Sequence, residues 1–278
     1  MKNLKRSQIA VMNIQYKFFP LIKFFEDAVA NKVQCIELWG AAPHFHPEDM
    51  TYREIVSIRH EIEARKLNLV CYTPEQCVYP INLAAPYEAE RRRSLKFFEN
   101  AIRVSSELGT DKMLVTVGTG YFDGSDYEEA WKYGKEGLSQ LGDLAEHYGI
   151  TLALEVWRKD ETNLIYDLSS LKRMMDELSH KNIGAMLDTI PMALENKTPK
   201  DYLETFGDRL VHVHFIDGAP YGHLAWGDGI LDMEEYLRQF DEYGYKNSLS
   251  LEITDNRYLM NPEGAVSQSI GKLFSIIK

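Results

Sequence analysis

The chain has 278 residues, 45% hydrophobic and 12% aromatic, enough to bury the core of one α/β barrel or of two smaller domains. Its net charge of −11 argues against a nucleic-acid partner, because phosphate contacts need a basic surface. No apolar run is long enough for a signal peptide or a membrane span, so a soluble, cytoplasmic protein without a membrane partner is expected. Cys35, Cys71 and Cys77 lack metal-type spacing and imply no disulfide framework.

Strand-like and helix-like runs alternate along the whole chain. "QIAVMNI" (8–14) precedes an amphipathic stretch from Phe19 to Ala30, and "VQCIEL" (33–38) precedes "MTYREIVSIRHEIEARK" (50–66). "LNLVCY" (67–72) is followed by a long charged helix over 87–109, and "KMLVTV" (112–117) by another over 126–149. Both helices close on a glycine, Gly109 and Gly149, the residue that best tolerates a left-handed helix end. "TLALEV" (151–156), "NIGAML" (182–187), "LVHVHFI" (210–216) and "SLSLEI" (248–253) then precede helical stretches at 167–180, 199–207, 231–244 and 262–277. Eight βα units without a linker predict one α/β domain over 1–278, a closed (β/α)8 barrel. An open doubly wound sheet would instead need a glycine-rich turn after the first strand, and "NIQYKFFP" has no glycine.

Side chains on a strand alternate faces, and in a barrel the bulky apolar face meets the outer helices. Thr151, Ala153 and Glu155 therefore look inward, as do Gly184, Met186 and Asp188, His212 and His214, and Ser248, Ser250 and Glu252. Glu155, Asp188, His214 and Glu252 all fall at the C-terminal strand ends, where barrel enzymes keep their chemistry. Three carboxylates and an imidazole brought together repel and desolvate one another, so a cation is the natural stabiliser. Oxygen-rich ligation with one nitrogen suits one divalent metal ion, Mn²⁺ first, with Mg²⁺, Co²⁺ or Zn²⁺ as alternatives. His212, one layer deeper, is expected to be a hydrogen-bonded core residue. Glu37, inward at the end of the second strand, is expected to support the site.

At these residues the chain resembles the sugar isomerase/epimerase superfamily of xylose isomerase-like TIM barrels, over essentially its full length. The closest likeness is to the fructoselysine 3-epimerase and ketose 3-epimerase branch. It is carried by "IELWGAAPHFHP" (36–47), "YTPE" (72–75) with "YPIN" (79–82), "LALEVWRKDETN" (152–163), "MLDT" (186–189), "VHFIDG" (213–218) leading through His223 to "GDG" (227–229), and "LEIT" (251–254). The resemblance implies a metal-dependent 3-epimerase in which Glu155, Asp188, His214 and Glu252 hold the metal. Glu155 and Glu252 also exchange protons through a cis-enediolate. Glu161, His44 and His223 resemble substrate-contacting positions, and Glu37, Trp39 and Glu75 of the quoted motifs join them as candidate substrate-binding residues. The implied partner is a small-molecule sugar or sugar-amine, and the family commonly forms homodimers or homotetramers.

Two departures bear on substrate. Where epimerases of free ketoses have a histidine three residues after the strand-six aspartate, this chain has Pro191, and where they have an arginine after strand seven it has Asp217. Both weigh against free fructose, tagatose or psicose as main substrate and leave fructoselysine and psicoselysine favoured. An acidic mouth of Asp217, Asp228 and Asp255 is expected to accept a cationic substrate tail. Same-fold alternatives are a hydroxypyruvate-type isomerase and an inosose or dehydroshikimate dehydratase, which begin with the same proton abstraction. A DNA-repair endonuclease would need a histidine-rich trinuclear zinc site, and strands three and four end without histidine. A non-catalytic sugar-binding barrel would show no metal dependence.

Overall fold

The structure, a computed structural model, describes residues 1–76 and 80–278, so Cys77 and Tyr79 of the "YPIN" motif lie outside the described residues. Eight parallel strands close a barrel in sequence order: β1 (Ile9–Met12), β2 (Cys35–Gly40), β3 (Asn68–Pro74), β4 (Lys112–Val115), β5 (Thr151–Glu155), β6 (Ile183–Asp188), β7 (Leu210–His214) and β8 (Leu249–Leu251). The closing pair is β1 with β8, in register Ala10 to Ser250.

The helices on the outside are α1 (Leu21–Ala30), α2 (Tyr52–Ala64), α3 (Glu88–Leu108), α4 (Tyr127–Tyr148), α5 (Leu168–Glu177), α6 (Thr189–Leu194), α7 (Pro199–Phe206), α8 (Met233–Glu242) and α9 (Pro262–Ile276). Their starts follow from capping chemistry: Thr51 and Glu54 form a reciprocal box at α2, and Asp167 accepts the Ser170 amide at α5. Their stops include Gly109 and Gly149, at φ +84° and +67°, which end α3 and α4 in the left-handed conformation expected of them.

Strand alternation divides the core. In β1 and β5, Ile9, Val11, Leu152 and Leu154 belong to the large cluster packed beneath the helices. Ala10 and Ala153 face the other way and join Cys71, Leu114 and Met186 in a small inner cluster. The interior is therefore a packed plug among the described residues.

Three of the differences from the sequence expectation bear on the site. β1 stops at Met12, because Asn13 turns into a short 3₁₀ segment, Ile14–Tyr16, and uses its side chain to bind the Trp39 backbone. A short helix, α6, follows β6 directly, capped by Asp188, which accepts the Ile190 amide at 2.7 Å. β8 ends at Leu251, so Glu252 sits just past the strand rather than on it.

Candidate active site

The register of the last strands sets the site. Asp188 lies beside His214 across β6 and β7, and His214 lies beside Ser250 across β7 and β8. Glu155 ends β5, and Glu252 follows β8 by one residue. One donor atom from each of Glu155, Asp188, His214 and Glu252 falls within 4.8 Å of the others, so the structure brings all four together at the barrel mouth.

The geometry about His214 tests whether a cation fits. Its Nε2 is 3.1 Å from Glu37 Oε1, a contact that occupies this nitrogen and turns Nδ1 outward. That Nδ1 is buried and lacks a well-formed hydrogen bond, yet it lies 3.0 Å from Glu155 Oε1 and 3.2 Å from Glu252 Oε2. Carboxylates this close are unfavourable unless positive charge sits among them: burial opposes charge on His214, but Glu252, Glu37 and Glu155 outweigh it and raise the imidazole well above its usual value, and a bound cation would take the place of that Nδ1 proton. Three carboxylates and one imidazole nitrogen about one focus fit a divalent cation, and Glu155, Asp188, His214 and Glu252 would hold it.

Glu37, His212 and His214 also cluster, but as a closed hydrogen-bond network. Glu37 Oε2 accepts from His212 Nε2 at 2.9 Å, and Oε1 accepts from His214 and from the Thr73 hydroxyl. Its oxygens are committed to these donors and leave no common focus for an ion. Burial alone would raise the Glu37 carboxyl, but the two imidazoles outweigh it and hold it well below the usual carboxylate range. Burial lowers His212. Glu37 lies beneath the cavity floor, which corrects its reading as a substrate-binding residue to one that orients His214.

Above the four residues opens a cavity of about 430 Å³, a fit for a small ligand. Glu155, Asp188, Glu252, Glu161, His223, Trp39 and Glu75 all reach its lining. Trp39 donates its indole N–H to Glu75 at 2.7 Å, and Glu161 accepts the Arg158 amide at 3.1 Å. His223 Nδ1 lies 2.9 Å from Glu252 Oε2, and its Nε2 lies 3.5 Å from Asp188 Oδ2.

Environment separates the carboxylates. Burial raises Glu155, partly offset by His214. Burial also pushes Asp188 up to about 6 against the pull of His223. Burial would raise Glu252 too, yet His214 and His223 hold it down at about 2. Glu161 is raised by burial, with Arg158 opposing.

Two expectations are corrected here. His44 does not line the cavity, because Nδ1 meets the Asn13 amide at 2.8 Å and Nε2 meets the Phe19 carbonyl at 2.9 Å. With both nitrogens occupied it anchors Asn13, which in turn holds Trp39. The expected acidic mouth is also absent from the cavity. Asp217 is buried and accepts the backbone N–H groups of Gly218, Gly227, Gly229 and Leu231 at 2.8 to 3.0 Å. Asp228 accepts from Tyr258 and Gln268, and Asp255 pairs with Arg257. All three are committed to the protein's own donors, and none lines the cavity.

Trp157 is a site residue to which the sequence reading gives no role. Its indole N–H donates to Glu155 Oε2 at 2.9 Å, fixing the carboxylate oxygen that His214 does not meet. Its spacing of two residues from Glu155, on the same face of an extended segment, was the available signal.

The chain belongs to the xylose isomerase-like TIM barrel family, whose model matches residues 25–276. Among named relatives it is similar to the fructoselysine 3-epimerase of Shigella flexneri, 25% identical over 261 residues, 93% of this chain and 94% of that one. Among solved structures it is similar to an L-ribulose 3-epimerase (TM-score 0.81, 17% identity, 97% of this chain and 94% of that one). It is also similar to a D-tagatose 3-epimerase-like protein (TM-score 0.79, 21% identity, 96% and 98%).

Proposed function

We propose that the protein is a metal-dependent ketose 3-epimerase acting on fructoselysine and psicoselysine or a closely related ketose derivative. The observation that carries this reading is the pairing of Glu155 and Glu252 about one atom. Their oxygens stand 3.0 and 3.2 Å from the same His214 Nδ1, and both residues face one cavity. Inversion at a carbon needs a base on one face and an acid on the other, and two separately positioned carboxylates supply them.

Glu155 takes the proton from carbon 3, and Glu252 returns one to the opposite face; in the reverse direction the roles exchange. Trp157 keeps Glu155 Oε2 in place, and His223 orients Glu252. Removing the proton leaves a cis-enediolate, whose charge the site must stabilise. Glu155, Asp188, His214 and Glu252 would hold a divalent cation, Mn²⁺ first, which when bound would supply Lewis acidity toward the neighbouring carbonyl. Glu161 and the Trp39–Glu75 pair offer polar groups along the cavity wall for sugar hydroxyls. The full-length similarity to a fructoselysine 3-epimerase supports the substrate class.

The test is proton NMR in D₂O with metal-stripped protein, with and without Mn²⁺, on fructoselysine, psicoselysine and free ketoses. Deuterium at carbon 3 together with the epimer, only when metal is present, is the expected result. Exchange at carbon 1 or loss of water would replace the assignment with isomerisation or dehydration.

A further inference from the structure

A second cavity, of about 850 Å³, adjoins the first, and the two share Arg158 and Pro191 in their walls. Side-chain ion pairs mark the divide. Arg158 Nη2 lies 2.9 Å from Glu161 Oε1, which lines the inner cavity, and Nε lies 3.0 Å from Asp160 Oδ1, which lines the outer one.

The outer cavity carries charges of both signs, and their partners decide which are available. Asp160 is paired with Arg158. Asp167 caps α5 through the Ser170 amide at 2.7 Å. Glu195 accepts the Leu168 amide at 3.1 Å and the Tyr202 hydroxyl at 3.2 Å. Lys159 has no carboxylate partner among the described residues; its Nζ sits 5.5 Å from the Tyr166 ring centroid. Beside it, Phe122 and Tyr221 are 62% and 55% exposed, a large apolar surface to leave facing water next to a catalytic cavity. The uncommitted charge is therefore positive, and its surroundings are aromatic.

We propose that the outer cavity is a subsite for a substituent carried on the ketose. An apolar stem lies against Phe122 and Tyr221, and a carboxylate at its far end pairs with Lys159. This reverses the expectation of a cationic tail held by acidic residues, since those carboxylates are already engaged. Only the identity of the group in the inner cavity rests on the 3-epimerase reading.

The test compares fructoselysine with the fructose adduct of cadaverine, which keeps the stem and the ammonium and lacks only the carboxylate. Dissociation constants are measured by calorimetry on the Mn²⁺-loaded wild type and on Lys159→Met, which keeps the stem of the lysine and loses its charge. The wild type should bind fructoselysine about threefold to fivefold more tightly, the range of a single solvent-accessible ion pair. Lys159→Met should erase that preference and leave the cadaverine adduct and free fructose unchanged. Equal binding of the two adducts by the wild type, or a preference that survives in Lys159→Met, overturns the subsite. Carbon-3 deuteration is followed in parallel. A binding preference without exchange supports the subsite and removes the 3-epimerase reading, whereas exchange without the preference does the reverse.

Discussion

Glu37 holds His214 from below: its Oε1 stands 3.1 Å from the imidazole Nε2, and this contact turns the other ring nitrogen toward Glu155 and Glu252. The same carboxylate binds His212 and the Thr73 hydroxyl, so one buried anion fixes two imidazoles. Glu37→Gln replaces an acceptor-only group with an amide that must set an N–H against an imidazole N–H or flip away. Mn²⁺ affinity should fall roughly 10- to 100-fold, as is typical when a ligand's hydrogen-bond partner is lost. Calorimetric titration checks this, and unchanged affinity would separate Glu37 from the metal site. Breaking a buried charge pair should also lower the unfolding free energy by about 3 kcal/mol or more, readable by urea denaturation.

Glu155 and Glu252 differ in their surroundings but are given complementary tasks. Glu155→Gln and Glu252→Gln should each keep the barrel, because the amide preserves shape, and each should lower turnover about 10²- to 10⁴-fold. Circular dichroism establishes the fold, and epimer formation followed by proton NMR gives the rate. A variant that turns over near the wild-type rate takes its residue out of proton transfer.

Alternation of faces makes much of this legible in the sequence. It put Glu155, Asp188 and His214 on the inner side of β5, β6 and β7 and grouped Glu252 with them, and the structure brings their donor atoms within 4.8 Å. What escaped was set by contacts distant in sequence. Nothing near Asp217 shows that four amides of the following loop would fold onto its carboxylate, so it read as a free acidic group. His44 is a substrate contact by resemblance alone, and its actual partners, Asn13 and Phe19, come from the segment after β1, which the motif around it does not show. Periodicity reports which way a side chain points, and it says nothing about which donors arrive to meet it.

Asp217 yields its own prediction. Its two oxygens gather the amides of Gly218, Gly227, Gly229 and Leu231 and so shape the segment after β7 that carries His223. Asp217→Ala leaves four backbone amides without their acceptor, at about 1–3 kcal/mol for each one that water fails to reach. The variant should be less stable by about 2 kcal/mol or more in urea denaturation and should lose activity through displacement of His223. Full stability would mean that the loop is held by other contacts.

The pair His223–Glu252, with Nδ1 and Oε2 2.9 Å apart, makes stability depend on pH in metal-stripped protein. Burial opposes charge on His223, but Asp188 and Glu252 outweigh it and raise the imidazole to about 9. A group raised on folding contributes fully below its unfolded value, about 6.5, and that contribution is lost as pH rises through the folded value. Glu252 runs the other way: held at about 2 by His214 and His223 against the effect of burial, it contributes above its unfolded value of about 4.3, and that contribution fades as pH falls toward the folded value. The two windows overlap between roughly pH 4.5 and 6.5, where the pair should stabilise on the order of 2 kcal/mol. In chelator, the difference in Tm between wild type and His223→Gln should therefore be largest in that window, shrink as pH rises from about 6.5 and be lost above about 9. Saturating Mn²⁺ should flatten the profile, since a fixed positive charge beside Glu252 then replaces part of what the imidazolium supplied. A Tm difference independent of pH in chelator would show that His223 stabilises the site by packing alone.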